Sequence, residues 1–125
     1  MLEVIRSDAA PAPLGPYSQG IKAGGFVFVA GYLGLNAETG KLAPGGITAE
    51  TSQVLENVKA VLETAGSSMD RALATFVFMT DLDDFAAMNE VYAQYFPTNP
   101  PGRTTVEVKA LPGGAHIEIT VFALA

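Results

Sequence analysis

Two stretches of the chain are apolar along almost their whole length, and they constrain the fold more than any other feature. Residues 26–35 and 73–79 are rich in β-branched and aromatic side chains, which predicts two strands. Because successive strand side chains point to opposite faces, such strands need cover on both faces. A chain of 125 residues with 49% hydrophobic residues is too small to supply all of that cover itself. We therefore expect an oligomer that buries one face of the sheet.

Other segments complete a set of six predicted strands, placed at residues 2–6, 19–23, 26–35, 72–79, 103–111 and 116–124. Gly24-Gly25 is typical of a tight hairpin between the second and third strands. Pro112-Gly113-Gly114 predicts a closing hairpin between the last two strands.

Two helices are predicted between these strands. Apolar residues recur at helical spacing over residues 48–65, with Thr48 as the candidate N-cap and Gly66 as the stop. The second helix follows Asp81 or Asp83 as its cap and ends at Pro97. The predicted fold class is α+β, one domain over residues 1–125, in the order β-β-β-α-β-α-β-β. Right-handed crossovers place both helices on one face of a single sheet.

Composition excludes several classes of function. Seven basic residues, scattered singly, against thirteen acidic ones give a net charge of −6, which argues against nucleic acid as a partner. Without cysteine there is no disulfide, thiolate metal site or cysteine nucleophile. No signal peptide or membrane-spanning stretch is recognised, so we expect a cytoplasmic protein with no membrane partner. His116 is the only histidine, and we interpret it as a polar residue at a hairpin end rather than a metal ligand or a triad member.

Two charged residues near the C-terminus are the candidates for chemistry. Arg103 follows the stiff segment Pro100-Pro101-Gly102, and its planar guanidinium could bind a carboxylate through two hydrogen bonds. It could equally lie on the surface or pair with Glu107. Glu118 projects opposite to its apolar neighbours, so it either faces water or lines a pocket between subunits.

Four segments resemble one known family. They are residues 101–112 (Pro-Gly-Arg-Thr-Thr-Val-Glu-Val-Lys-Ala-Leu-Pro) with the following Ile-Glu-Ile at 117–119, the proline-rich residues 10–20, the helix residues 57–62, and the strand–helix junction at 77–89. In this order and spacing they resemble the RidA (YjgF) family across nearly the whole chain.

The resemblance implies a chorismate-mutase-like α+β fold, assembled as a homotrimer with a cleft at each subunit interface. It also implies hydrolysis of enamine or imine intermediates, of the 2-aminoacrylate and 2-iminopropionate type, to a 2-keto acid and ammonium, without a cofactor or metal. Arg103 would bind the substrate carboxylate, and Glu118 would orient or activate the attacking water. Backbone groups near Gly31 would contact the substrate nitrogen or the water, while Tyr17 and Asn89 would shape the pocket.

Three positions depart from the family pattern. Thr105, a candidate substrate-binding residue, stands where a cysteine is common two residues after the arginine. Ala30 and Tyr32 flank Gly31 in place of a serine and a glutamine. These changes motivate an alternative function, a non-catalytic trimer that binds a 2-keto acid. The ribonuclease activity proposed for relatives is disfavoured, because the chain has no basic stripe and no histidine pair.

Overall fold

Six strands form one mixed sheet in the computed structural model, which describes residues 1–125. The strands are β1 (Glu3–Ile5), β2 (Gly20–Ala23), β3 (Phe26–Leu33), β4 (Ala72–Met79), β5 (Gly102–Glu107) and β6 (Ile117–Leu124). They lie in the order β1-β2-β3-β6-β4-β5, and only β4 and β5 are parallel neighbours. With two helices packed on it, this sheet confirms the predicted α+β class.

The two helices are α1 (Gly46–Thr64) and α2 (Phe85–Tyr95). The prediction that Thr48 caps α1 is wrong, because the helix begins two residues earlier and Gly45 occupies the N-cap with a φ of 123°. Gly66 does end the helix as expected, with a φ of 83° that favours glycine. The prediction that Asp81 or Asp83 caps α2 is wrong, because Asp84 occupies that N-cap and makes no capping hydrogen bond through its side chain. Asp81 instead caps a short 3₁₀ turn that precedes α2, where its carboxylate accepts a hydrogen bond from the Asp83 amide. Neither helix combines the length and apolar character of a membrane span.

The predicted closing hairpin between the last two strands is wrong. β4 lies between β5 and β6 and pairs with both of them. The sequence signal for the turn is real, since Gly113 has a φ of 66° in a short 3₁₀ turn. However, β5 ends at Glu107, and its Arg, Thr and Glu residues suit an edge strand. The apolar β4 takes the inner position, where both of its edges and one of its faces are covered.

The two faces of the sheet have different surroundings. On one face, fully buried valine, isoleucine and methionine side chains of β3, β4 and β6 pack against α1 and α2 in one core cluster. Burial of each such side chain stabilises the folded state by about 1.5–3 kcal/mol. On the opposite face the ring of Phe122 lies 5.0 Å from Phe28 and 5.3 Å from Phe76. Phe26 and Phe28 are 40% and 38% exposed, so this open face presents an aromatic patch to its surroundings.

Candidate active site

A cleft opens on the helix-free face of the sheet, between the middle of the sheet and the N-terminal arm, which we define as residues 7–18. Its volume is about 730 Å³, within the range of small-molecule sites. The arm forms one wall and includes Tyr17. The other wall is formed by the ends of β3, β4 and β6, and it contains Gly31 and Glu118. Three of the predicted site residues therefore meet in one cavity.

A β-bulge in β3 shapes the floor of the cleft. Val29 pairs with Val121 and Tyr32 with Ile119, so Ala30 and Gly31 together face a single residue of β6. At Gly31 a β-carbon would lie 3.0 Å from Cδ of Glu118, closer than side chains normally pack. Only glycine at this position leaves the Glu118 carboxylate its present place. The close approach also brings the main chain of Gly31 next to that carboxylate.

Glu118 occupies an environment that suits proton transfer. It pairs across the sheet with Leu33 of β3 and Phe78 of β4, both apolar. No protein side chain or main-chain group bonds to its carboxylate. Burial therefore raises the pKa of Glu118 above its ordinary value. A carboxyl group with a raised pKa exchanges a proton more readily near neutral pH.

The arm is fixed over the cleft by Gln19, which was not among the predicted site residues. This residue is only 5% exposed, and its side chain makes hydrogen bonds to the amide and carbonyl of Ser7 and to the carbonyls of Ala10 and Pro11. The only indication of this role in the sequence is that Gln19 lies in the segment 10–20, which resembles the family. Tyr17 fixes the arm further along, since its hydroxyl accepts a hydrogen bond from the Leu14 amide at 3.0 Å.

Tyr32, one of the departures from the family pattern, supports the arm from below. Its side chain is buried, and its hydroxyl lies 3.4 Å from the carbonyl oxygen of Pro11. Burial raises the pKa of this phenol, which keeps it neutral. Ala30, the second departure, lines the cleft directly. The departures therefore make this part of the cleft more apolar without removing a charged group.

Arg103 belongs to a second cluster, away from the cleft. Its guanidinium carbon lies 4.7 Å from the centre of the Tyr92 ring and 5.5 Å from the centre of the Phe85 ring, both on α2. The Tyr92 hydroxyl lies 2.8 Å from the buried Thr75 hydroxyl, which fixes the ring. Asn89 follows Phe85 by one helical turn and so lies on the same side of α2.

The guanidinium of Arg103 has no acidic partner. The only close contact between an acidic and a basic side chain in the protein joins Glu50 and His116. Glu107, considered above as a partner for Arg103, instead accepts a hydrogen bond from the Leu82 amide. The guanidinium therefore lies against two aromatic rings, and no carboxylate of the chain neutralises its charge.

The two clusters lie on opposite faces of the sheet. Arg103 pairs with Thr75, whereas Glu118 pairs with Phe78, three residues further along β4. Residues separated by an odd number along a strand project to opposite faces. One chain therefore does not bring the arginine and the glutamate together. Thr105 stays with the arginine, because it pairs with Val77 on the helix-covered face.

His116, interpreted from sequence as a polar residue at a hairpin end, has a structural partner. Both carboxylate oxygens of the buried Glu50 bond to it, one to its main-chain amide at 2.9 Å and the other to its Nδ1. This contact fixes the start of β6, two residues before Glu118. No group of three or more acidic or histidine side chains is arranged to hold a metal ion.

The fold and these clusters define a small α+β protein with one mixed sheet, two helices on one face, and a cleft with a partly buried carboxyl group on the other. The family model described as endoribonuclease L-PSP matches residues 7–125. A RutC family protein of Pyrococcus horikoshii is 50% identical, with 98% of each chain covered. The 2-iminobutanoate/2-iminopropanoate deaminase of Mus musculus is 37% identical, covering 98% of this chain and 90% of its own.

Comparison with solved structures shows the same fold. The crystal structure of RidA from an Antarctic Psychrobacter bacterium has a TM-score of 0.95 at 41% identity, covering 98% of this chain and 99% of that one. The chain therefore belongs to the RidA (YjgF) family, which its sequence motifs resemble.

Proposed function

We propose that the protein hydrolyses 2-enamine and 2-imine carboxylates to the 2-keto acid and ammonium, at sites formed between copies of the chain. The observation that carries the proposal is the division of the site between two faces. The Glu118 cleft contains no cation, and Arg103 has no anion. A second copy that brings its Arg103 to the first copy's cleft would complete both. The name of the mouse relative, an imine deaminase, supports the same reaction.

In this proposal Arg103 anchors the substrate carboxylate. Its guanidinium stacks on Tyr92, so the fork is oriented before substrate arrives and little rotamer entropy is lost on binding. Asn89 and Thr105, from the same face, would border the anchored carboxylate. This local charge also explains how a chain with a net charge of −6 accepts an anionic substrate.

Glu118 then serves as the base and acid for the addition of water. The carboxylate takes a proton from water as the oxygen bonds to the imine carbon, and the C=N bond becomes a single bond. That proton moves to the nitrogen of the carbinolamine. As the C–N bond breaks and the carbonyl forms, Glu118 takes the proton of the carbinolamine hydroxyl and passes it to the departing ammonia, which leaves as ammonium. The main chain of Gly31, beside Glu118, would contact the water or the nitrogen. Tyr17 would help to close the cleft over the reacting atoms. No cofactor is required, because a protonated imine is already electrophilic.

The assembly in this proposal is a homotrimer. The aromatic patch of Phe28, Phe76 and Phe122 adjoins the cleft on the same face and is of the kind that a subunit interface covers. A closed ring of three places each copy's arginine face against the next copy's cleft, which gives three equal sites.

The test follows imine lifetime in a coupled assay. An amino-acid oxidase generates the imine, and semicarbazide traps whatever is not hydrolysed. We expect the wild type to shorten the lifetime and Arg103→Ala to lose at least about a hundred-fold in kcat/KM, because the positioning contact is gone. Arg6→Ala, at an exposed arginine outside both clusters, is the matched control and should behave as the wild type.

Full activity of Arg103→Ala would contradict the proposal. If the wild type has no activity but binds a 2-keto acid, and Arg103→Ala does not bind it, the non-catalytic binding function is correct instead. The departures at Ala30, Tyr32 and Thr105 make that the second candidate.

A further inference from the structure

Glu50 is buried near the start of α1 and takes no part in the reaction steps proposed above. On the basis of the proposed function, we infer that Glu50 is a positioning residue, which acts through His116 to hold the Glu118 carboxylate where it can transfer protons. The pairing of β3 with β6 ends at Glu118, and the contact with Glu50 replaces it beyond that point.

Glu118 lies in the last pair of the ladder between β3 and β6. Its partner Leu33 is the final residue of β3, so Ile117 and His116 have no strand partner on that side. On the other side the pairing with β4 continues through Ile117. Strand pairing therefore holds the first residues of β6 along one edge only.

Glu50 supplies the contact that the ladder lacks on the β3 side. One oxygen of its carboxylate accepts a hydrogen bond from the main-chain amide of His116 at 2.9 Å, and the other bonds to Nδ1 of the His116 ring. These two contacts fix both the main chain and the side chain of the residue two places before Glu118. An apolar side chain could pack at this buried position, but it could not bond to both groups.

The same helix holds the end of β3. A β-carbon at Gly34 would lie 2.8 Å from the main-chain oxygen of Glu50, so only glycine allows the helix to approach the strand this closely. Asn57, two turns further along α1, donates hydrogen bonds from its side-chain amide to the carbonyls of Leu33 and Leu35, on either side of that glycine. Helix α1 therefore fixes both strands of the last pair, β3 through Asn57 and β6 through Glu50.

The position of Glu118 depends on this support, because nothing else in the chain orients its carboxylate. No protein group bonds to that carboxylate, and its Cδ lies only 3.0 Å from the place of a β-carbon at Gly31. A displacement of about 1 Å at a reacting group can lower turnover on the order of a hundred-fold. Loss of the Glu50 contact should therefore lower kcat. The KM should stay close to the wild-type value, because Arg103, which anchors the substrate in the proposed function, lies on the other face of the sheet.

The experiment measures the surroundings of Glu118 as well as turnover. With isotope-labelled glutamate carboxyl groups, an NMR titration gives the pKa of Glu118, whose signal is identified by its absence from Glu118→Gln. Burial raises this pKa, so a carboxylate displaced toward water should titrate closer to the ordinary value. We expect Glu50→Ala to lower the pKa of Glu118 and to lower kcat at least about ten-fold, with KM within about two-fold of the wild type.

Three further variants separate position from charge and from stability. Glu50→Gln removes the charge but keeps an oxygen for the His116 amide and a nitrogen for the ring, so it should retain most of kcat and the raised pKa of Glu118. His116→Ala removes only the ring contact and should change both quantities in the same direction as Glu50→Ala, which keeps the test available if Glu50→Ala does not fold. Leu62→Val removes one carbon from the core at the other end of α1, so it should lower stability and change neither quantity.

The possible outcomes separate this role from the proposed function. An unchanged kcat or an unchanged pKa of Glu118 in the folded Glu50→Ala and His116→Ala variants would overturn the positioning role. Equal losses in Glu50→Gln and Glu50→Ala would also overturn it, because the charge of Glu50 rather than its contact would then be responsible. If the wild type hydrolyses no imine, the proposed function fails, whereas a pKa of Glu118 that falls in Glu50→Ala and not in Glu50→Gln would still support the positioning of this carboxylate.

Discussion

Mixing two inactive variants should restore activity, because Arg103 and Glu118 lie on opposite faces of the sheet. The Arg103→Ala variant lacks the guanidinium that binds the substrate carboxylate but keeps the Glu118 cleft. The Glu118→Gln variant keeps Arg103 but lacks the catalytic carboxylate. Each variant alone should lose at least about a hundred-fold in kcat/KM. A site in a mixed oligomer is intact when its arginine comes from a Glu118→Gln copy and its glutamate from an Arg103→Ala copy.

The recovered fraction of activity equals the fraction of sites in which both Arg103 and Glu118 are intact. With equal amounts of both variants and random assembly, about one quarter of the sites receive an intact pair, whatever the number of copies in a closed ring. Wild type mixed with the double variant should also give about one quarter, because both contributors to a site must then be wild type. If a single chain supplied both residues, the first mixture would give nothing and the second about one half.

The assay needs complete exchange of subunits. Equal amounts of the two variants are unfolded together in denaturant and refolded, with no later step that selects mixed oligomers, and wild type is treated in the same way. Imine lifetime then gives the active fraction, and light scattering gives the number of copies. Recovery of one half in the second mixture with background activity in the first would refute the division of the site between copies.

Three further predictions concern single residues. Glu118→Gln should be more stable than the wild type near neutral pH, because burial raises the folded pKa of Glu118 and the wild type loses stability as pH rises through that value. Denaturant titrations should show this advantage disappear below the ordinary carboxyl pKa. Gly31→Ala should lower kcat/KM at least about ten-fold by displacing the carboxylate, while the unfolding free energy changes by less than about 1 kcal/mol. Tyr92→Leu should raise KM by about two- to thirty-fold through loss of the stacking on Arg103, whereas Tyr92→Phe, which keeps the ring, should retain most of the affinity. An unchanged KM in the leucine variant would show that stacking does not orient the guanidinium.

The elements of the fold were predictable because their signals are local. Helical spacing identified α1, Gly24-Gly25 identified the hairpin of β2 and β3, and the bounds predicted for β4 match those observed. Which strands lie next to each other in the sheet was not predictable in the same way. A turn signal such as Pro112-Gly113-Gly114 shows that the chain reverses, but it does not show which third strand enters between the two segments.

The candidate site was predictable by residue but not by arrangement. The family resemblance named Arg103 and Glu118, and alternation showed that Glu118 projects away from its isoleucine neighbours. Their separation across the sheet depends on the pairing of both β5 and β6 with β4, which no local pattern encodes. Gln19 was missed for a related reason, since a polar side chain gives no sign in sequence of which distant carbonyls it will satisfy.

The bulge at Ala30 and Gly31 divides β3 into two halves whose alternation is out of phase. Before the bulge Phe28 projects to the open face, and after it Leu33 does, five residues further along, while Tyr32 projects to the core. Loss of one residue here would exchange the faces of every side chain that follows in the strand, turning the Tyr32 ring outward and Leu33 inward. The length of this strand is thus as tightly constrained as its composition. Insertions during evolution or engineering are better accommodated in the turn at residues 37–41, where most side chains are exposed.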